Sequence, residues 1–294
     1  MKRIAAVIPT FNRCELLRTS IGQLQDQANA LSDVDLTIIV VNDGCTDNTD
    51  TMLTQELPEA VQVKTPGNYW YTKSMNVGFQ KALKLDIDHV LTLNDDIDLK
   101  HDYLEQIVEA VSAYNEPIIM GSTSVTYEKP HRITFSGVKE VNWWRVKKEL
   151  YHPYLKEVPL GELKGVKKSE VLPGRGMLID IKILEGIGLF DERLPQYGSD
   201  DEICLRAKKQ GFQVLVSWDS VIYSHHEMTG VGSPILKQSF TQYVRTFFNK
   251  YSRTYWKKFY LINSQYGHRW ALPGVMCIYI LGEFYSYFKN KIDQ

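Results

Sequence analysis

Several familiar signatures are missing from this sequence. Its four cysteines, Cys14, Cys45, Cys204 and Cys277, have none of the paired spacings of a zinc site or a disulfide framework. They suit a reducing, cytoplasmic setting. The formal net charge is only -1 and no RNA- or DNA-binding motif is present, so nucleic acid is not an expected partner. Long apolar runs are also lacking. The best candidate, residues 271–282, is followed by Glu283 and falls short of the roughly 20 residues that span a bilayer. It is expected to lie on a membrane rather than cross one, on the inner face of the cell membrane. The chain enters an apolar strand at Ile4 without the longer apolar run and small-residue cleavage site of a signal peptide, so none is expected. Neither G-x-G-x-x-G nor G-x-x-x-x-G-K-[ST] follows the early strands, which disfavours dinucleotide enzymes and P-loop kinases.

What is present alternates regularly. With 294 residues and 44% hydrophobic content, the chain has room for one large α/β domain and a small appendage. Residues 4–8 read as a strand, and Leu16, Leu17, Ile21 and Leu24 give helical spacing over 12–27. Residues 36–41 form a second apolar run, followed by the turn-rich 42–49 and a helix from Thr49. Residues 61–64 are extended, 72–85 helical, and 89–93 again a strand. Such alternation predicts a mostly parallel central sheet flanked by helices, with ligands outside the carboxyl ends of its strands. Thr10, Asn12, Asp43, Asp95, Asp96 and Asp98 fall at those ends. Residues 140–168 are irregular and predict an insertion or flexible connection over the site.

Three clusters can carry chemistry. Asn94-Asp95-Asp96-Ile97-Asp98 ends a strand in carboxylates suited to a hard divalent cation, although Asp98 equally suits the cap of the following helix. Asp200 and Asp201 open a helix, where one carboxylate can accept a proton and the other simply favours the helix dipole. Ser224-His225-His226 follows the apolar segment 214–223, where an imidazole can contact a metal or phosphate.

Taken together, these segments resemble the family 2 inverting glycosyltransferases of the GT-A fold. Pro9-Thr10-Phe11-Asn12-Arg13 resembles their opening loop, and Val40 to Asp47 their "DDGSTD" segment. Asn68 to Gly78 resembles the stretch ending in N-x-G, Leu93-Asn94-Asp95-Asp96 the D-x-D region, and Gly188 to Glu192 with Tyr197 to Arg206 the "GxFDE…ExDLxxR" portion. The resemblance implies a catalytic domain over 1–230, with a nucleotide-sugar half to about residue 100 and an acceptor half beyond it. Pro9, Thr10, Asn12 and Arg13 would line the nucleotide pocket, Asp43 would recognise the base, and Asn68, Lys73 and Asn76 would lie near nucleotide or sugar. Asn94 and Asp95 would support the donor, while Asp96, Asp98 and His225 would contact Mn2+ or Mg2+. Asn42, Asn94 and Ser199 stand where the family commonly has acids, which leaves Asp200 and Asp201 competing for the role of base, with Asp200 favoured by its register with Leu205 and Arg206. The implied partners are a UDP-sugar, with dTDP second, and a glycan or lipid-linked acceptor in surface polysaccharide or glycoconjugate synthesis. A silent binding protein on the same fold and a sugar nucleotidyltransferase are the alternatives.

The segment 231–294 reads as a helical extension. From Thr241 onward it holds eight Lys or Arg against two acids, a charge of +6, and Tyr243, Phe247, Tyr251, Tyr255 and Phe259 recur every four residues. That spacing predicts one aromatic stripe along a helix, packed on the catalytic domain, on another subunit or against a membrane surface.

Overall fold

A computed structural model describes residues 1–145, 147–225 and 238–292. The first strands are β1 (Lys2–Thr10), β2 (Val34–Asn42), β3 (Val61–Lys64) and β4 (His89–Thr92), interleaved with helices α1 (Cys14–Asn29), α2 (Thr49–Glu56) and α3 (Trp70–Ala82). They pair in parallel in the order β3-β2-β1-β4. Side chains on β1 explain the arrangement: Ile4, Ala6 and Ile8 face one buried layer and Ala5 and Val7 the other, as a strand covered on both faces requires. On the second face α3 comes close to β1 at Gly78, where a Cβ would lie 2.2 Å from Val7 Cγ1. The glycine of the N-x-G motif therefore sets a packing distance.

Beyond β4 come β5 (Ile97–Leu99), α4 (Tyr103–Ser112), β6 (Ile118–Thr126), β7 (Ile133–Phe135), β8 (Val138–Asn142), β9 (Lys147–Leu150), β10 (Val166–Lys168), β11 (Met177–Asp180), α5 (Ile181–Ile187), α6 (Ser199–Lys209) and β12 (Gln213–Ser224). The main sheet runs β10-β12-β6-β11-β4-β1-β2-β3, with β5 on β12 and β7 on β6. It is parallel across its first half and again between β6 and β12, while β11 lies antiparallel between β4 and β6. Helices α1 and α4 cover one face, and α3, α5 and α6 the other.

Two expectations need correction. Residues 140–168 are not simply irregular: β8 and β9 form a two-stranded antiparallel ribbon, and β10 extends the main sheet. Their side chains are mostly exposed, so they lack the apolar periodicity by which strands are read. The aromatic stripe is not on one helix either. Tyr243 belongs to α7 (Phe240–Thr246) and Phe259 to α8 (Trp256–Tyr266), with Tyr251 and Tyr255 in the turn-rich segment between them. The last helix, α9 (Leu272–Ile292), has 21 residues and with its flank is long and apolar enough by composition to cross a bilayer, longer than the apolar run suggested because Glu283 does not interrupt it.

The extension has a small aromatic core of Tyr243, Phe247, Tyr279 and Tyr287. It docks on the catalytic domain through α8, where Tyr266 donates a 2.6 Å hydrogen bond to Glu202 and Lys258 packs against Gly198. The expected boundary near residue 230 lies outside the described residues, as does His226.

Candidate functional site

A cleft of about 620 Å³ opens at the carboxyl ends of β1, β2 and β4. On one wall Thr10, at the end of β1, donates a 2.8 Å hydrogen bond to Asp95. Arg13 Nη1 lies 2.9 Å from both Asp95 Oδ1 and Asp96 Oδ2. Burial raises the Asp95 pKa, with Arg13 opposing it. Asp96 Oδ1 and Asn94 Oδ1 are buried and have no hydrogen-bond partner among the described residues. Two orphaned oxygens from residues two positions apart are the donor type that a hard divalent cation prefers, and buried oxygens left unmatched call for such a partner.

Asp43 also lines the cleft, but its carboxylate organises the backbone. It accepts hydrogen bonds from Thr65 Oγ1 at 2.6 Å and from the amides of Gly67, Tyr69 and Trp70 at 3.0–3.2 Å. The loop so held leaves Trp70 at φ +59°, a conformation that a bulky side chain adopts only at a cost of order 1–3 kcal/mol. Trp70 remains 45% exposed at the cleft and stacks on Tyr251 of the extension, with ring centroids 4.0 Å apart.

The opposite wall is built from α6 and the loop before β11. Asp200 Oδ2 accepts from the Gly174 amide at 3.0 Å, and Oδ1 from the Asp201 amide at 3.0 Å. Burial, then the charge of Asp201, raises the Asp200 pKa above the ordinary carboxylate value. Asp201 instead forms an ion pair with Lys148 on β9, at 2.6 Å, and is not part of the cleft lining. Ser199, where the family commonly has an acid, is fully buried and accepts a 2.9 Å hydrogen bond from Thr72. A charge there would be desolvated without a partner.

Between the walls stands Arg175, which the sequence reading did not single out. It donates to Ser224 Oγ at 3.1 Å, while its Nε is buried without a partner among the described residues. Burial lowers its pKa, opposed by the nearby charges of Asp96 and Asp200. A signal existed in the flanking glycines: a Cβ at Gly174 would meet Tyr71 Oη at 1.8 Å and one at Gly176 Ser122 Oγ at 2.8 Å. Gly-Arg-Gly before an apolar strand is thus a tight passage that presents one cation. Trp70, Tyr71, Gln196 and Tyr197 also line the cleft and were not singled out as site residues.

The cleft therefore gathers Pro9, Thr10, Arg13, Asp43, Asn94, Asp95, Asp96 and Asp200. It does not gather the rest. Asn12 is exposed and accepts a 2.7 Å hydrogen bond from the Thr46 amide, bracing two loops. Asn68 and Lys73 are exposed, with the Lys73 ammonium 3.7 Å over the Tyr69 ring. Asn76 is buried and exchanges hydrogen bonds of 2.9 Å with the Phe190 backbone, which fastens α3 to the Gly188–Glu192 segment. Asp98 and His225 form a pair of their own: His225 Nε2 is 2.7 Å from Asp98 Oδ2, and Gln23 donates to Asp98 Oδ1. Stacked on Tyr127, His225 does not join Asp96, and among the described residues no group of three or more His, Cys, Asp or Glu side chains is arranged to hold a metal. The expected Asp96, Asp98 and His225 are not brought together: β5 pairs with β12 with Tyr223 opposite Asp98, and just past the end of β12 the His225 side chain bonds Asp98.

The profile described as glycosyl transferase family 2 matches residues 5–161. Among solved structures, the chain is similar to GalNAc-T7 with UDP, GalNAc and Mn2+, with a TM-score of 0.61 and 15% identity over 90% of this chain and 50% of that one. It is also similar to residues 1–349 of TarS from S. aureus in complex with UDP, with a TM-score of 0.53 and 16% identity over 76% of this chain and 60% of that one. The same TarS fragment without UDP gives 0.54 and 14% identity over 98% and 81%. These likenesses concern the GT-A fold, and the chain spans only half the length of the GalNAc-T7 chain it matches. No curated protein sequence matches.

Proposed function

Because the chain belongs to glycosyl transferase family 2, we propose that it moves a sugar from a nucleoside diphosphate to an acceptor hydroxyl with inversion at the anomeric carbon. UDP is the first expected nucleotide and dTDP the second, with a glycan or lipid-linked acceptor. The observation that carries this reading is the pairing, in one cleft, of a carboxylate braced by Arg13 with an oxygen to spare, Asp96, and a carboxylate of raised pKa, Asp200.

Sugar transfer needs charge stabilisation where the diphosphate departs and proton removal where the acceptor attacks. Asp200 takes the acceptor hydroxyl proton, the hydroxyl oxygen bonds to the anomeric carbon from the opposite face, and the bond to the phosphate oxygen breaks with its electron pair. A raised pKa suits the base, since it makes the carboxylate a stronger proton acceptor. Arg175 supplies positive charge between the walls, where the diphosphate develops negative charge. A divalent cation, Mn2+ or Mg2+, would be held by Asp96 Oδ1 with the Asn94 side-chain oxygen and would add charge neutralisation on the departing diphosphate.

A nucleotide-release assay over UDP-, dTDP- and GDP-sugars, with Mn2+ or EDTA and a broad acceptor panel, tests the proposal. Metal-dependent release of one nucleoside diphosphate supports it. Binding of a nucleotide sugar with no release under any acceptor would make the chain a binding protein on this fold, and release of pyrophosphate from a sugar phosphate and a nucleoside triphosphate would make it a nucleotidyltransferase.

A further inference from the structure

Helix α9 carries the most exposed apolar surface of the extension. Gly274, Ile278, Leu281, Tyr285, Phe288 and Ile292 recur at a 4-3-4-3-4 spacing and are all exposed, Leu281, Tyr285 and Ile292 by 67%, 70% and 81%. The opposite side of the same helix is packed: Val275 is buried, and Tyr279 and Tyr287 are buried in one cluster with Tyr243 and Phe247, against which Phe259 packs. The stripe does not stop at the helix. Phe240 of α7, itself 46% exposed, stacks on Phe288 at 5.5 Å. Contiguous apolar surface spread over two helices marks an interaction site.

Charge selects the occupant. Lys289 and Lys291 are exposed on either side of the stripe near one end, and Arg269 is exposed near the other. The acid of α9, Glu283, turns inward and accepts a 3.0 Å hydrogen bond from Tyr243. A 4-3 spacing would serve a helix pair, but a second copy laid on this stripe in either direction would bring lysine and arginine together with no facing acid among the described residues of α9. An anionic surface meets both features at once.

We propose that α9, with Phe240 of α7, docks the protein on an anionic lipid bilayer, the helix lying in the interface rather than across the membrane. Its length permits crossing, but its inner side is fastened to the protein: Tyr279 donates to the Thr254 carbonyl and Tyr287 to the Gln238 carbonyl, each at 3.0 Å. Crossing would undo these bonds and expose the aromatic core. Because the extension also stacks on Trp70 at the cleft, docking holds the site close to the lipid surface.

Vesicle flotation of the full chain tests this, with vesicles of phosphatidylcholine alone and of phosphatidylcholine mixed with phosphatidylglycerol. The wild type is expected to float with the mixed vesicles, to bind neutral ones at least about tenfold more weakly, and to be released by alkaline carbonate. Leu281→Glu with Tyr285→Glu, and separately Lys289→Glu with Lys291→Glu, should each lower binding to mixed vesicles by about tenfold or more. All four side chains are exposed, so thermal unfolding and nucleotide binding should stay as in the wild type. Equal binding to both vesicles, retention in carbonate, no effect of either double substitution, or a wild-type dimer that Leu281→Glu dissociates in place of lipid binding would each overturn the proposal.

Discussion

The two walls of the cleft treat their carboxylates in opposite ways. Asp95 and Asp96 share one guanidinium, Arg13, at 2.9 Å, so their charge is braced before any ligand arrives. Among the described residues Asp200 has no ion-pair partner: Lys148 pairs with Asp201, and the Asp200 oxygens accept from the backbone amides of Gly174 and Asp201. The comparison teaches that pairing, not proximity, separates a carboxylate that holds a cation from one that moves a proton. It also separates adjacent residues, because Asp201 ties the ribbon of β8 and β9 to α6 while Asp200 faces the cleft.

The largest effect should come from removing the proton acceptor. Asp200→Asn is expected to lower kcat by about 10³-fold with nucleotide affinity unchanged, whereas Asp201→Asn should cost less than about tenfold, as measured by nucleoside diphosphate release. Equal losses would erase the distinction between the two acids. On the other wall, Asp96→Ala should lower kcat/KM by about 10²-fold and leave the remaining rate insensitive to EDTA. The pH profile sharpens the contrast further. Activity needs ionised Asp200, so it should rise with pH through a midpoint above the usual carboxylate range. Since the charge of Asp201 helps to raise that pKa, Asp201→Asn should move the acidic limb to lower pH. The smallest effect concerns the extension: Tyr251→Ala removes the ring behind Trp70, and a lost aromatic stack of about 1 kcal/mol predicts roughly a fivefold rise in KM for one substrate.

The parallel half of the fold was legible because its strands are buried on both faces and its helices repeat with apolar spacing. The ribbon of β8 and β9 was not, since exposed lysines and glutamates carry no strand pattern. At the site, Thr10, Arg13, Asp96 and Asp200 could be read because they stand at strand ends or open a helix. Asn76 and Asp98 lie outside the cleft lining for a reason sequence does not carry: short polar side chains look alike there whether they meet a ligand or fasten neighbouring groups, and here Asn76 bonds Phe190 while Asp98 bonds His225 and Gln23. Trp70 and Arg175 were missed because their placement depends on contacts far along the chain, those of Asp43 with the loop and of Tyr71 with Gly174.

The most direct test of the two-wall account is a calorimetric titration of the nucleotide sugar, with metal present, into the wild type, Asp96→Ala and Asp200→Asn. The account predicts that Asp96→Ala binds at least about tenfold more weakly while Asp200→Asn binds as the wild type yet fails to turn over. Equal loss of binding in both variants, or loss in Asp200→Asn alone, would contradict the assignment of donor and acceptor chemistry to opposite walls.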